Sequence, residues 1–301
     1  MGCWCPITGY YSKVIGPSGK RGITFQRSAA HTGVPIRLPC GRCTGCRLET
    51  SRQWAIRILH EKKLHDASCF GTLTYDNENL PEGGTLVKRD FQLFMKRLRK
   101  GMGDGIRFFA CGEYGDLNKR PHYHFLLLNR DFGDKRQVGA NRRGDKYYDS
   151  VELRSYWPIG HVLLGDVTFD SAAYVARYCM KKINGDGADA HYTVVDANGV
   201  VTRRAAEFTV MSRRPGIGTG WYERYGNETY AHDNCIINNR PVRPPRFYDG
   251  KRNLLDPDGF AKLKEERRRK ALANFKENLV DRRRVKERLL SKHQGKLHRE
   301  I

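Results

Sequence analysis

His122 and His124 stand two residues apart at the start of the most apolar strand-like run in the chain, His122-Tyr-His-Phe-Leu-Leu-Leu128. Side chains alternate across a strand, so both imidazoles point to one face and Tyr123 to the other. A lone histidine is usually a satisfied core residue, whereas two side by side on a sheet suit a metal ion. Glu113 lies nine residues before His122, on the preceding strand of a predicted hairpin that can return its carboxylate to the pair. Two histidines and one carboxylate leave positions on a divalent ion open for substrate oxygens. Tyr174 and Tyr178 are four residues apart on a predicted helix, so both hydroxyls share a face. Lys181 and Lys182 follow at helical spacing and bring cationic ends near the phenols. A phenol, with its pKa of about 10, is a weak nucleophile unless a metal or cation favours the phenolate.

A second group of chemically capable residues lies near the N-terminus. Nine cysteines are an odd number, and five fall within the first 46 residues. Cys40-Gly-Arg-Cys43-Thr-Gly-Cys46 sets three thiols at equal spacing with small residues between, a pattern that favours a structural zinc over disulfides. The fourth ligand must come from elsewhere. Cys3 or Cys5 can supply it, with Cys5 the nominated candidate.

The elements that position these residues are legible in part. Residues 1–45 read as irregular, with Gly-Pro-Ser-Gly at 16–19 and Pro35 and Pro39 as breakers. A helix is predicted from Leu48 to about His65 and a strand over Phe70–Tyr75. An amphipathic helix follows over 88–100, with Phe91, Phe94, Met95 and Leu98 as its apolar stripe. Strands are expected over Ile106–Tyr114, Tyr123–Leu128 and His161–Thr168, with a surface insertion near 130–155. Asp170 or Ser171 can cap a helix over Ala172–Ile183. A hairpin is expected around Asp196-Ala-Asn-Gly199. Strands interleaved with helices give an α+β class. No glycine-rich nucleotide loop follows any strand. The domains expected are a Cys-rich segment 1–47, a domain 48–250 and a basic helical tail 251–301.

Lys and Arg number 55 against 33 Asp and Glu, a net charge of +22 in 301 residues, which suits a polyanionic partner. Residues 262–301 alone hold 15 basic against 6 acidic residues. Leu272, Phe275 and Leu279 allow an amphipathic helix there, beside the Arg282-Arg283-Arg284 cluster. No apolar run approaches the roughly 18 residues of a spanning helix, and no signal peptide is visible, so the reading is of a non-membrane protein within the cell.

Three segments in order, Phe70-Gly-Thr-Leu-Thr-Tyr75, Arg120-Pro-His-Tyr-His-Phe125 and Tyr174-Val-Ala-Arg-Tyr178-Cys-Met-Lys181-Lys182, resemble the three motifs of HUH endonucleases. The cysteine run, Gly165–Tyr174 and Met211-Ser-Arg-Arg-Pro-Gly-Ile-Gly218 narrow the likeness to replication initiators of gokushovirus-type microviruses, single-stranded DNA phages. The resemblance spans residues 1 to about 225. It implies a sheet of about five antiparallel strands with flanking helices and a metal on its exposed face. His122, His124 and Glu113 would be the ligands of Mg²⁺ or Mn²⁺, Tyr174 and Tyr178 the nucleophiles, and Lys181 their neighbouring cation. Arg120, Lys182, Arg213 and Arg214 are the candidate DNA contacts. The activity implied is rolling-circle nicking and joining of single-stranded DNA at a viral origin through a 5′-phosphotyrosine. It would take place in the host cytoplasm, with the host polymerase and helicase as partners and no membrane.

Two other readings compete. Two histidines and a carboxylate also form the facial triad of non-haem iron oxygenases, but that leaves the tyrosines, lysines and charge without a role. A non-catalytic, zinc-containing nucleic-acid-binding protein accounts for charge and cysteines but not for the strand histidines.

Overall fold

The computed structural model describes residues 2–17, 19, 21–115, 118–141, 144–178, 187–195 and 198–297, with backbone only for Tyr178 and for 293–297. The chain divides into two compact units, Met1–Thr50 with Lys262–Ile301, and Ser51–Ala261.

In the first unit, β1 (Ile7–Ile15), β2 (Arg21–Thr24) and β3 (Ile36–Leu38) form an antiparallel sheet in the order β2-β1-β3. This corrects the irregular reading of residues 1–45. Gly16, Pro17 and Gly19, from the stretch taken as a breaker, lie between β1 and β2, with Gly19 N–H donating to Gly16 O at 2.9 Å. The strands escaped notice because Tyr11, Val14, Ile15 and Ile23 are all exposed. Without a buried face there is no apolar alternation to read. Helix α1 (Thr44–Lys62) starts in this unit and runs into the next.

The second unit is built on β4 (Cys69–Tyr75), α2 (Lys88–Met102), β5 (Phe108–Tyr114), β6 (Pro121–Leu127), β7 (Arg136–Ala140), β8 (Lys146–Asp149), α3 (Val151–Tyr156), β9 (Gly160–Gly165) and α4 (Phe169–Tyr178). After these come α5 (Ala188–Tyr192), β10 (Thr193–Val195), β11 (Val201–Arg203), β12 (Phe208–Met211), α6 (Thr219–Ala231), β13 (Cys235–Ile237), β14 (Arg240–Val242) and α7 (Arg246–Leu255). The main sheet has seven strands in the order β12-β5-β6-β4-β9-β8-β7, every pairing antiparallel. Five strands form the body, with β6 in the centre. The insertion adds the other two as a hairpin, joined to β9 through the single pair Tyr148↔Leu164. A polar, Gly-rich stretch thus extends the sheet instead of looping over it.

Helices cover both faces. Phe91, Phe94, Met95 and Leu98 of α2, with Trp157 after α3, pack on Leu73, Tyr123, Phe125 and Leu127. On the other face Ala55 and Ile58 of α1, Ala172 and Val175 of α4 and Ile217 pack on Phe109, Cys111 and Leu126. Strand alternation explains the division: Tyr123, Phe125 and Leu127 serve the first layer, His122, His124 and Leu126 the second. At Gly71 a Cβ would lie 2.2 Å from the Phe125 ring, so β4 can cross that ring only as glycine.

Helix α4 begins one turn earlier than expected. Its cap is Thr168, whose Oγ1 accepts from Ser171 N–H (3.1 Å) while Ser171 Oγ accepts from Thr168 N–H (2.8 Å), a reciprocal capping box. The β10 and β11 strands pair antiparallel around the expected hairpin, of which Asp196 and Ala197 lie outside the described residues.

Helix α8 (Pro257–Ala273) leads into the tail, which continues through a 3₁₀ turn at Phe275–Asn278 to α9 (Val280–Leu297). Leu272 is on α8, Phe275 on the 3₁₀ turn and Leu279 between that turn and α9, and all three are exposed. They form no single apolar stripe.

Candidate active site

Register builds the site. In the central ladders Glu113 is directly opposite His122, and Cys111 and Thr72 flank His124 on its two sides. Residues opposite each other in an antiparallel pair share a face, so the three polar side chains are gathered by backbone pairing alone. Glu113 Oε1 lies 2.7 Å from His122 Nε2 and 2.9 Å from His124 Nε2. The ligand atoms of all three residues lie within 4.8 Å of one another, close enough for one ion.

The outer ring nitrogens are held as well. His122 Nδ1 faces Arg120 O at 3.1 Å, and a carbonyl can only accept, so Nδ1 carries the proton. His124 Nδ1 is 2.9 Å from Thr72 Oγ1. Such outer partners orient imidazole ligands. The donor set fits a divalent metal.

Glu113 is 2% and His124 5% exposed, so the expectation of a metal on an exposed sheet face needs correction. Helices α1 and α4 cover that face beside the cluster, and the half-buried His122 is its most open member. Burial acts to raise the Glu113 carboxyl, but hydrogen bonds and charge from His122 and His124 outweigh it and hold the carboxyl at about 2.

Helix α4 brings Tyr174 to this cluster. Its ring stands edge-on to His124 with centroids 5.3 Å apart, and Phe70 stacks on His124 at 5.7 Å. Ser51 of α1 donates to Ala173 O at 3.0 Å, fixing this turn of α4 against α1. Tyr178 follows one turn along the same helix, and its side chain lies outside the described residues, as do Lys181 and Lys182.

The candidate DNA contacts separate. Arg120 Nη2 donates to Tyr75 O and to Asn77 Oδ1, both at 2.9 Å, and is engaged within the fold. Arg213 and Arg214 are exposed on a tight turn closed by a bridge from Arg213 to Gly216. Sequence reasoning missed what holds that turn. Buried Glu61 accepts from Arg107 Nε and from Gly218 N–H, both at 2.6 Å. Arg107 also donates to Pro215 O, and Arg57, lying over the Trp54 and Phe247 rings, donates to Ile217 O. Gly218 has φ +82°, a conformation natural to glycine.

The cysteine group closes with a different fourth member. Cys3, Cys40, Cys43 and Cys46 place their sulfurs within 4.8 Å of one another. Cys5 is exposed and outside the group, which corrects its nomination. Four sulfurs about 2.3 Å from one ion have tetrahedral edges of about 3.8 Å. The Cys3–Cys43 and Cys40–Cys46 sulfur separations are 3.8 and 4.0 Å. Backbone N–H groups of Trp4, Cys40 and Cys43 each point at a sulfur from 3.3 Å. Burial would raise the Cys43 thiol, yet N–H donors from Cys46, Trp4 and Cys5 bring it down to about 6. Both groups, the four cysteines and Glu113-His122-His124, could hold a metal ion.

Comparison with known proteins fits this geometry. Residues 68–183, the stretch carrying all three motifs, match the family model "Replication-associated protein ORF2/G2P". Replication-associated protein VP4 of Bdellovibrio phage phiMH2K is 34% identical over 244 residues, covering 76% of this chain and 73% of that protein. The chain belongs to the phage replication-associated protein family. Other members include replication-associated protein ORF2 of Spiroplasma virus 4, 28% identical over 78% of this chain and 74% of that one. Replication-associated protein ORF4 of Chlamydia phage 1 is 33% identical over 73% of this chain and 55% of its own length. This membership agrees with the resemblance to gokushovirus-type initiators. No solved structure matches. Among the described residues no helix is long and apolar enough to cross a membrane.

Proposed function

We propose that the chain initiates rolling-circle replication by nicking and joining single-stranded DNA at a viral origin through a 5′-phosphotyrosine. The observation that supports this most is the convergence of Glu113, His122 and His124 on one point, with the Tyr174 ring beside His124. Mg²⁺ or Mn²⁺ held by those three residues would supply a Lewis acid that withdraws charge from the scissile phosphate. Tyr174 or Tyr178 attacks phosphorus through its phenol oxygen, the bond to the 3′ oxygen breaks, and the phenol proton leaves with the departing hydroxyl or solvent. The freed 3′-hydroxyl primes a host polymerase, with a host helicase opening the duplex. When the origin has been copied, the second tyrosine cuts it, and the new 3′-hydroxyl attacks the first phosphotyrosine to close the released circle. Each exchange conserves one phosphodiester bond, so no nucleotide is consumed. Lys181 is placed by sequence to favour the phenolates.

Arg213 and Arg214, exposed on an anchored turn, contact the DNA backbone. Lys182 adds to them, and Arg120 mainly secures the end of β4. The four cysteines hold a structural zinc in the first unit. The place of action is the host cytoplasm. Incubation with origin-strand DNA and Mn²⁺, followed by a denaturing gel, tests the reading. A covalent adduct supports it; DNA retention in native gels without any adduct supports the non-catalytic zinc-containing binder instead.

A further inference from the structure

The line of the sheet that holds Glu113 and His122 does not end at the cluster. Glu113 pairs with His122, His122 with Thr74 and Thr74 with His161, so these residues lie side by side across β5, β6, β4 and β9. Directly opposed residues share a face, which puts His161 on the same side of the sheet as the cluster. Two strand spacings separate it from His122, about 9–10 Å between backbones. Exposure rises along the line: Glu113 is buried, His122 and Thr74 are half-buried and His161 is exposed. The end at β9 is therefore the open one. The place of His161 is also firmly built. A Cβ at Gly160 would lie 2.0 Å from Thr74 O, so β9 comes this close to β4 only as glycine. Trp157 Nε1 donates to the same carbonyl at 3.0 Å.

What His161 offers is a donor. Among the described residues its ring takes no hydrogen bond, and only its carbonyl meets a side chain, the Thr74 hydroxyl at 3.5 Å. It lies outside both groups that could hold an ion. Its charged neighbour is Asp76, just past β4. The Asp76 carboxylate accepts from Asn79 N–H at 2.8 Å and from Asn79 Nδ2 at 2.9 Å, bonds that hold it below the usual carboxylate range. That carboxylate is committed to its turn, whereas the imidazole is not. A single strand whose scissile phosphate lies at Glu113-His122-His124 must continue out of the site. Helices α1 and α4 cover the face on the side of Phe109, Cys111 and Leu126. Leaving along the open line toward β9, the strand carries its next phosphate over His161. Phosphate contacts fix the register of a bound strand, and an imidazole N–H on a rigid sheet can make one.

We propose that His161 donates a hydrogen bond to the phosphate next to the scissile one and so seats the strand over the Glu113-His122-His124 cluster. The inference rests on the proposed nuclease reading and names a substrate contact for it. The probes are origin-strand oligonucleotides whose linkages are replaced one at a time by neutral methylphosphonate, titrated against the full chain without added metal. At one linkage beside the cleaved one, wild type is expected to lose about 5–10-fold in affinity, as for a hydrogen bond to a charged group at an exposed site. His161→Ala should bind the unmodified strand more weakly and lose less than about twofold further at that linkage, the coupling a double-mutant cycle reads. Other linkages should cost both proteins alike. His161→Arg, which restores a donor, should keep the sensitivity. A scan in which no linkage distinguishes wild type from His161→Ala would overturn the proposal. Adduct formation with Mn²⁺ is measured in parallel. Adducts formed by a wild type without such a linkage would leave the nuclease reading and remove this contact. A linkage that depends on His161, without any adduct, would do the reverse.

Discussion

Replacing Cys3 and Cys5 separately by serine tests the cysteine site most sharply, because the two residues flank Trp4 and differ only in where the backbone sends them. Cys3 Sγ lies 3.8 Å from Cys43 Sγ and accepts the Cys40 N–H, whereas Cys5 is exposed and outside the group. Structural zinc sites of this kind bind with roughly 10–16 kcal/mol, so one of four thiolates accounts for about 2.5–4 kcal/mol if they share it evenly. Cys3→Ser should therefore weaken zinc retention by a factor on the order of 100 or more, while Cys5→Ser changes it little. The assay is zinc content by elemental analysis of reduced protein, followed through dialysis against graded chelator. Wild type and Cys5→Ser should keep about one zinc per chain to the same chelator strength, and Cys3→Ser should lose it well before. Loss from Cys5→Ser with retention in Cys3→Ser would refute the assignment. Absence of zinc from all three would remove the site altogether.

Other expectations follow from the second unit. His122→Ala with His124→Ala should abolish cleavage yet leave salt-sensitive DNA binding nearly intact in gel-shift titrations, since distributed Lys and Arg carry the binding. Thr72→Val removes the hydroxyl 2.9 Å from His124 Nδ1 without changing side-chain shape, and should raise the Mn²⁺ concentration needed for half-maximal cleavage about 10–100-fold. An unchanged metal requirement would show that Thr72 does not orient the ligand. Gly71→Ala places a methyl 2.2 Å from the Phe125 ring and should cost about 3 kcal/mol, lowering the melting temperature by roughly 6–12 °C in circular dichroism. A fall of less than about 2 °C would mean that the ring moves aside freely.

What the sequence disclosed depends on how local each signal is. The stripe of α2 and the apolar β6 run were legible because each buries one face, and Phe91, Phe94, Met95 and Leu98 do lie in one core layer. His122 and His124 follow from strand alternation, and Glu113 from one hairpin, so the whole candidate metal group came from neighbouring strands. Thr72 did not, because its approach to His124 depends on pairing between strands some 50 residues apart. The same limit applies to Cys3, selected over Cys5 only when the N-terminal segment meets the Cys40–Cys46 turn. Glu61, Arg57 and Arg107 read as ordinary charged residues, and only tertiary contact turns them into the anchor of the Arg213-Arg214 turn. The solvent-facing β1–β3 sheet left no periodic trace at all.

Mapping the DNA-linked residue tests the central claim most directly. Wild type, Tyr174→Phe, Tyr178→Phe and the double variant are incubated with origin-strand DNA and Mn²⁺, and the adduct peptide is identified by mass spectrometry. Two other tyrosines, Tyr75 and Tyr192, are poor nucleophiles on structural grounds. Tyr75 Oη is buried, donates to Asp90 at 2.6 Å and lies 2.7 Å from Tyr123 Oη, and burial with the nearby Asp90 drives its pKa upward. The Tyr192 hydroxyl is buried against Glu207. The account predicts linkage at Tyr174 or Tyr178, an adduct in at least one single variant, and none in the double variant. Linkage at Tyr75 or Tyr192, or an adduct that survives in the double variant, would contradict it.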